Sequence, residues 1–246
     1  MKRRLRLEGI YDIETVKKVR EQGLFDFSLD MRPRSFNFLQ GHRLIEMVKT
    51  IYQPGVLFSL VFCNEKDFVI TKILSDIRET ISAMGHSPRA VDFALEFSGT
   101  ETRQEMDAHN ISYYWHYREE MIDEVLHGPL LKGIVFELPF LNELLRKGQL
   151  PSFSMELTSK IFSIPSSQRP EFFVRAAWDA ELSVALGEYL QFDVLSLTVG
   201  PSVESGYRAI NTPILVKGLE SFHRSLESLI VPGNSSKGTD NAHSDL

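Results

Sequence analysis

Cysteine is almost missing from this chain: Cys63 is the only one in 246 residues. A single thiol excludes an intramolecular disulfide and a cysteine-rich zinc site, and it points to a reducing compartment. Cys63 has no basic neighbour in sequence to activate it, which argues against a nucleophile. Long apolar runs are missing too. None approaches the ~18 residues of a spanning helix, and no apolar stretch of the kind a secretory leader needs follows Lys2-Arg3-Arg4. The expectation is a cytoplasmic protein without membrane contact. Positive charge is not in excess. The net charge is −6, and three basic residues at one end are too few for a nucleic-acid surface. There is no His-x-x-x-His spacing for a metal and no Gly-x-Gly-x-x-Gly after the first strand for a dinucleotide, so no cofactor is expected.

What the chain does have is alternation of strand and helix patterns. Leu5 and Leu7 open a short strand that stops at Glu8-Gly9. Asp12 then caps a helix carrying Ile13, Val16 and Val19, Gly23 ends it, and Phe25 to Asp30 forms the next strand. A β-α-β unit of about 30 residues requires parallel pairing. The pattern continues with a helix at Gly41 to Tyr52, punctuation at Pro54-Gly55 and a strand at Val56 to Phe62. A helix through Phe68, Ile73, Ile77 and Ile81 leads to a strand at Val91 to Phe97 and a helix at Glu101 to His109. Strands at Ile111 to His116 and Gly133 to Leu138 flank a helix at Glu119 to Leu126. Two helical stretches, from Phe140 and from Ser152, compete for the space before a seventh strand at Phe172 to Ala177. A helix at Asp179 to Tyr189, a strand at Asp193 to Thr198 and a helix at Pro213 to Leu229 finish the series, the last with Ile214, Leu215, Leu219, Phe222 and Leu226 facing in. Residues 232–246 are polar and rich in Gly and Ser, the composition of a disordered tail.

Several strand ends carry residues that resemble the phosphoribosylanthranilate isomerase family. Arg6-Leu7-Glu8-Gly9 resembles that family's K-I-C-G, and Arg32 to Leu39 resembles its second loop, P-K-S-P-R-Y-V. Val61-Phe62-Cys63-Asn64-Glu65 resembles V-F-V-N-E, and Pro170 to Ala177 resembles P-F-F-L-A-G-G. The resemblance implies an α/β fold, a single (β/α)8 TIM barrel over residues 1–231, with its site at the carboxyl ends of the strands. Eight alternations in a chain of this length agree with it, although alternation alone also fits an open doubly wound sheet.

The strand ends supply Glu8, Asp30 and Arg32, Asn64, Glu96, His116 and Arg118, Glu137, Arg175 and Thr198. The resemblance puts Glu8 at the position of the family's general-base cysteine and Glu137 at that of its general-acid aspartate. It implies an Amadori-type isomerisation of a sugar phosphate by a carboxylate pair, in a monomer or homodimer. Ligand contacts would come from Arg32, Arg34, Asn37, Glu96, Arg175, Thr198 and Gly200, the last restoring part of the eighth-strand loop. The chain departs from the family where it would hold phosphate. Ala176-Ala177 replaces paired glycines, Trp178 follows them, Leu197-Thr198-Val199 replaces Ser-Gly-Val, and Asn37 stands where the family has arginine. The alternative is therefore an inactive isomerase-derived barrel that binds a metabolite or a protein, its phosphate site closed and its charges paired with Arg175 or Arg118. His116 then reads as a half-buried histidine, and Tyr113-Tyr114-Trp115-Tyr117 as packing.

Overall fold

Eight parallel strands pair in chain order and close on themselves, β1 against β8 in the register Arg4 to Val194 through Glu8 to Thr198. The computed structural model describes residues 4–52, 57–87, 93–176, 178–200, 204–206 and 209–230. The expected Pro54-Gly55 turn, the starts at Val56 and Val91, Ala177 and the tail 232–246 lie outside these residues. The strands are β1 (Arg4–Glu8), β2 (Asp26–Asp30), β3 (Leu57–Phe62), β4 (Phe93–Phe97), β5 (Tyr113–His116), β6 (Leu131–Glu137), β7 (Glu171–Ala176) and β8 (Val194–Thr198). Around them run α1 (Ile13–Glu21), α2 (Gly41–Ile51), α3 (Asp67–Ala83), α4 (Arg103–Asp107), α5 (Ile122–Val125), α6 (Leu138–Arg146), α7 (Leu150–Phe162), α8 (Ala180–Tyr189) and α9 (Thr212–Ile230). A two-stranded ribbon, β9 (Glu204–Gly206) with β10 (Ala209–Ile210), precedes α9. No helix among the described residues is long and apolar enough to cross a membrane.

Local signals set the element ends. The Asp12 carboxylate accepts from the Thr15 amide, as its place before an apolar helix stripe requires, and Gly23 follows α1 at φ +81°. Both α6 and α7 begin with proline in the first turn, at Pro139 and Pro151, where a missing N–H costs nothing. That resolves the competing stretches between β6 and β7 into two successive helices. Tyr117, Phe136, Phe140 and Phe153 pack there edge-on or tilted, with ring centroids 5.1–5.9 Å apart.

Three expectations need correction. The helix expected from Glu101 to His109 is only five residues, because Thr102 caps it through a reciprocal bond with Glu105 and leaves Glu101 outside. The helix expected from Glu119 begins as a 3₁₀ turn, Glu119–Met121, and only α5 is α-helical. Ile214 is 51% exposed, since the inward stripe of α9 is Leu215, Leu219, Phe222 and Leu226. The helix expected through Phe68, Ile73, Ile77 and Ile81 is α3, whose buried face is Ile70, Leu74, Ile77 and Ile81 while Phe68 is 72% exposed.

Two apolar cores result. The large one lies between strands and helices and takes the outward-facing strand residues, such as Leu7, Phe27, Leu29 and Leu60. The small one fills part of the lumen with Ala94, Tyr114, Val135, Phe173 and Val194. Because strand side chains alternate, the same strands send Arg6, Glu8, Ser28, Ser59, Glu96 and Ser196 inward, all buried. The lumen is thus polar above one apolar layer.

Candidate functional site

At the carboxyl end of the barrel six charged side chains close into a ring. Arg6, fully buried, donates from Nη2 to Glu8 Oε1 at 2.5 Å and from Nη1 to Glu96 Oε2 at 2.9 Å, while its Nε reaches Ser196 Oγ at 2.8 Å. Glu96 Oε1 meets His116 Nε2 at 2.8 Å, and His116 Nδ1 meets Glu137 Oε1 at 2.8 Å. Arg175 then donates from Nη1 to Glu137 Oε1 at 2.7 Å and from Nε to Glu8 Oε2 at 2.6 Å, which returns the circuit to its start. Hydroxyls complete the coordination: Ser59 and Ser28 donate to Glu96 Oε2, and Thr198 donates to Glu8 Oε2. The Arg6 guanidinium also lies over the Phe173 ring, 4.6 Å from its centroid.

Both nitrogens of the His116 imidazole face carboxylate oxygens, so both bonds form only if each nitrogen carries a proton. Burial opposes that charge, yet the hydrogen bonds to Glu137 and Glu96 raise the His116 pKa above the ordinary histidine value. Counting His116 as a cation, three positive and three negative groups alternate and the ring is neutral. The carboxyls shift the opposite way. Burial would raise Glu96 and Glu8, but Arg6 beside the first, and Arg175 and Arg6 beside the second, hold both below the usual range. Against the same effect of burial, His116 and Arg175 bring Glu137 down to about 2. Arg175 is raised chiefly by Glu8, and Arg6, despite burial, by Glu96 and Glu8.

A cavity of about 150 Å³ opens beside the ring, lined by Glu8, Gly9, Ser28, Asp30, Arg32, Ser35, Asn37, Val61, Glu96, His116, Arg175 and Thr198. Its outer wall is also internally paired. Asp30 takes Nε and Nη2 of Arg32 at 2.8 and 2.6 Å together with the Ser35 hydroxyl, and Arg32 Nη1 reaches Ser98 Oγ. Asn37 spans from the second loop to the eighth, its Nδ2 donating to the Val199 carbonyl at 2.8 Å. Gly9, at φ +73°, permits that crossing, since a Cβ there would stand 2.2 Å from Asn37 Nδ2. The buried Oδ1 of Asn37 has no hydrogen-bond partner among the described residues.

Of the expected site residues, the structure brings Glu8, Arg32, Asn37, Glu96, Arg175 and Thr198 to this cavity, with Glu137 joined through the ring. Arg34 is not among them. It is exposed on the turn closed by the Ser35 amide on the Arg32 carbonyl. Gly200 lies outside the lining, and among the described residues nothing stands within 4 Å of a Cβ placed there. Arg118, the other expected counter-ion, turns instead to the Glu101 carbonyl and Met121 sulfur. Asn64, at φ +60°, holds the loop after β4 by accepting from Thr100 rather than facing the mouth. His116 is 7% exposed, more buried than expected. Trp178, also at positive φ, donates its indole N–H to the Thr198 carbonyl at 2.9 Å and packs edge-on against Phe222 of α9.

Sequence reasoning missed Arg6, the centre of the ring. The signal was there: Arg4, Arg6 and Glu8 alternate with Leu5 and Leu7, and in a barrel wrapped by helices the leucines belong to the outer face. Among the described residues no group of three or more His, Cys, Asp or Glu has the arrangement to hold a metal ion.

No protein-family model and no curated protein sequence matches the chain. Solved structures do. Phosphoribosylanthranilate isomerase from Thermotoga maritima superposes with a TM-score of 0.63 at 11% identity, over 92% of this chain and 100% of that one. The likeness is one of fold. The enzyme of the same description from Thermus thermophilus gives 0.59 at 14% identity, over 92% and 99% of the two chains. An HpcH/HpaI aldolase/citrate lyase family protein from Burkholderia cenocepacia gives 0.53 at 8%, over 94% and 95%. The barrel is therefore isomerase-like in architecture, and two chemistries share that architecture among its neighbours.

Proposed function

We propose that this isomerase-type barrel binds a small polar metabolite at its mouth without turning it over, its acid and base positions being tied up as ion pairs. The observation that carries the reading is the closed ring. An Amadori rearrangement needs one group protonated at the ring oxygen and another free to take a proton from carbon, so the two must have pKa values pushed apart. Here Glu8 and Glu137 are both pushed down, Glu137 to about 2, and both Glu8 oxygens are occupied by guanidinium groups. Neither is protonated near neutrality. The cavity of about 150 Å³ is also small beside the roughly 300–1,000 Å³ of pockets that take drug-sized ligands. Trp178 bonded to the Thr198 carbonyl, with Val199 buried beside it, supports a closed phosphate site.

A second reading is a divergent sugar-phosphate isomerase using Glu8 as base and Glu137 as acid. It is favoured by one observation, that a single guanidinium, Arg175, bridges the two carboxylates at the mouth. One solved neighbour, at 12% identity, is described as phosphoribosylanthranilate isomerase in complex with a reduced carboxyphenylamino-deoxyribulose phosphate. Two assays separate the readings. Purified protein is incubated with phosphoribosylanthranilate and its loss followed by fluorescence, in parallel with a thermal-shift panel of small polar metabolites and sugar phosphates. The binding reading expects no turnover and stabilisation by at least one small ligand, worth about 2.7 kcal/mol at 100 times its Kd. Turnover that disappears in Glu8→Gln and Glu137→Gln would replace it with the second.

A further inference from the structure

Glu137 is the one member of the ring built to leave. Its side chain is 40% exposed, against 5% for Glu8 and 1% for Glu96. A single oxygen, Oε1, serves both His116 Nδ1 and Arg175 Nη1, and among the described residues Oε2 has no hydrogen-bond partner. The other two carboxylates are held through both oxygens. Glu137 is also the last residue of β6 and the N-cap position of α6, where its side chain makes no capping bond. Rotating it outward breaks no backbone pairing and uncovers a seat between two cationic donors. His116 and Arg175 are walls of the mouth cavity as well as partners of Glu137, so its departure extends the cavity toward β6.

Two further groups define what fits. Arg175 offers five N–H bonds and its described partners are Glu8, Glu137 and Thr198, which leaves donors for an entering anion. Asn37 lines the same cavity, and among the described residues its buried Oδ1 acceptor has no donor, a state that costs stability until one arrives. Neutrality constrains the charge. The ring alternates three cations with three carboxylates, so a monoanion can take the place of Glu137 without net change. A phosphate dianion would add negative charge beside Glu8, Glu96 and Asp30.

Building on the binding reading above, we propose that the ligand is a small hydroxy acid whose carboxylate displaces Glu137 from its seat between His116 and Arg175, while its hydroxyl donates to Asn37 Oδ1. Glu137 is then an internal competitor that sets the affinity. The test measures binding of glycolate, acetate and inorganic phosphate by calorimetry to the wild-type protein, Glu137→Ala and Glu137→Gln. The expected result is glycolate binding at least 10-fold tighter in Glu137→Ala than in wild type, glycolate preferred over acetate, and phosphate no better than acetate. Asn37→Ala should erase the preference for glycolate. Equal glycolate affinity in wild type and both variants overturns the proposal, as does phosphate binding more tightly than either carboxylate. If Glu137→Ala does not fold, Glu137→Gln, which keeps the shape and removes the charge, decides by the same criterion. Turnover of phosphoribosylanthranilate would instead refute the binding reading itself. No turnover, with no gain in glycolate affinity, refutes only the hydroxy-acid assignment.

Discussion

Replacing Arg6 by methionine removes the ring's central cation while keeping most of its volume. Arg6 is fully buried, and the carboxylates it serves, Glu8 and Glu96, are 5% and 1% exposed, so neither can recover its hydration in the variant. Breaking a buried pair in this way costs about 3–5 kcal/mol, because the remaining charge stays buried and uncompensated. For a chain of this size each kcal/mol moves Tm by about 2–4 °C, so Arg6→Met should lower Tm by roughly 6–20 °C. The reasoning makes a second, sharper demand. If the loss comes from the orphaned carboxylates, then Glu96→Gln in the Arg6→Met background should be less damaging than in wild type, with a coupling energy of about 2–3 kcal/mol. Urea unfolding of the four proteins, read as midpoint times slope, gives that number directly. A cost below about 1 kcal/mol for Arg6→Met, or additivity of the two changes, would mean that the ring holds nothing together and that Arg6 acts only as bulk over Phe173.

The remaining predictions concern protons and backbone. His116 is raised above 6.5 when folded, so its contribution is complete below pH 6.5 and fades as pH rises through the raised value; Tm should fall on the alkaline side in wild type, and less so in His116→Gln. Asp26, at the opposite end of the lumen, has a buried Oδ2 with no partner among the described residues, and burial pushes its carboxyl from 3.8 to about 6. That penalty is absent below pH 3.8 and complete above about 6, so Asp26→Asn should gain about 2–3 kcal/mol of relative stability between pH 4 and pH 8 in urea titrations. A flat difference would refute it. Gly9→Ala should cost about 2–3 kcal/mol, since alanine is strained at φ +73° and its methyl collides with Asn37; a thermal midpoint equal to wild type would show that the crossing loop relaxes freely.

The barrel could be read from the chain because its construction depends on local and periodic features. The Asp12 cap, the glycine after α1 and the apolar run of β3 each mark an element without knowledge of the rest. The strand-end carboxylates Glu8, Glu96 and Glu137 were legible for the same reason, since their position follows from where each strand stops. Their partners were legible only in part. Arg175 was expected as a counter-ion at the mouth, but Arg6 was not: its contact with Glu96 spans 90 residues, and only closure of the sheet brings such positions together. The apolar residues of β1 also misdirect. Leu5 and Leu7 suggest the lumen to a reader expecting an apolar centre, whereas they pack outward under the helices. Ile214 failed similarly, because one apolar residue at a helix start says little about which face the following turns will bury.

That inversion bears on what the barrel can do. Most of its apolar cement lies between strands and helices, so the lumen is free to depart from the hydrophobic layers of ordinary barrels provided that every buried charge is answered. The ring answers them in alternation, and its most exposed members are Glu137 at 40% and Arg175 at 21%. A catalytic pair would need one carboxyl protonated and the other free, and Arg6 and Arg175 work against that asymmetry by both serving Glu8 and, between them, the other two carboxylates of the ring, Glu96 and Glu137. On the binding reading proposed above, the arrangement that pairs the charges of the mouth is the one that withholds acid–base chemistry, and the chemistry left to it is exchange of one anion for another at Glu137, the most exposed corner of the ring.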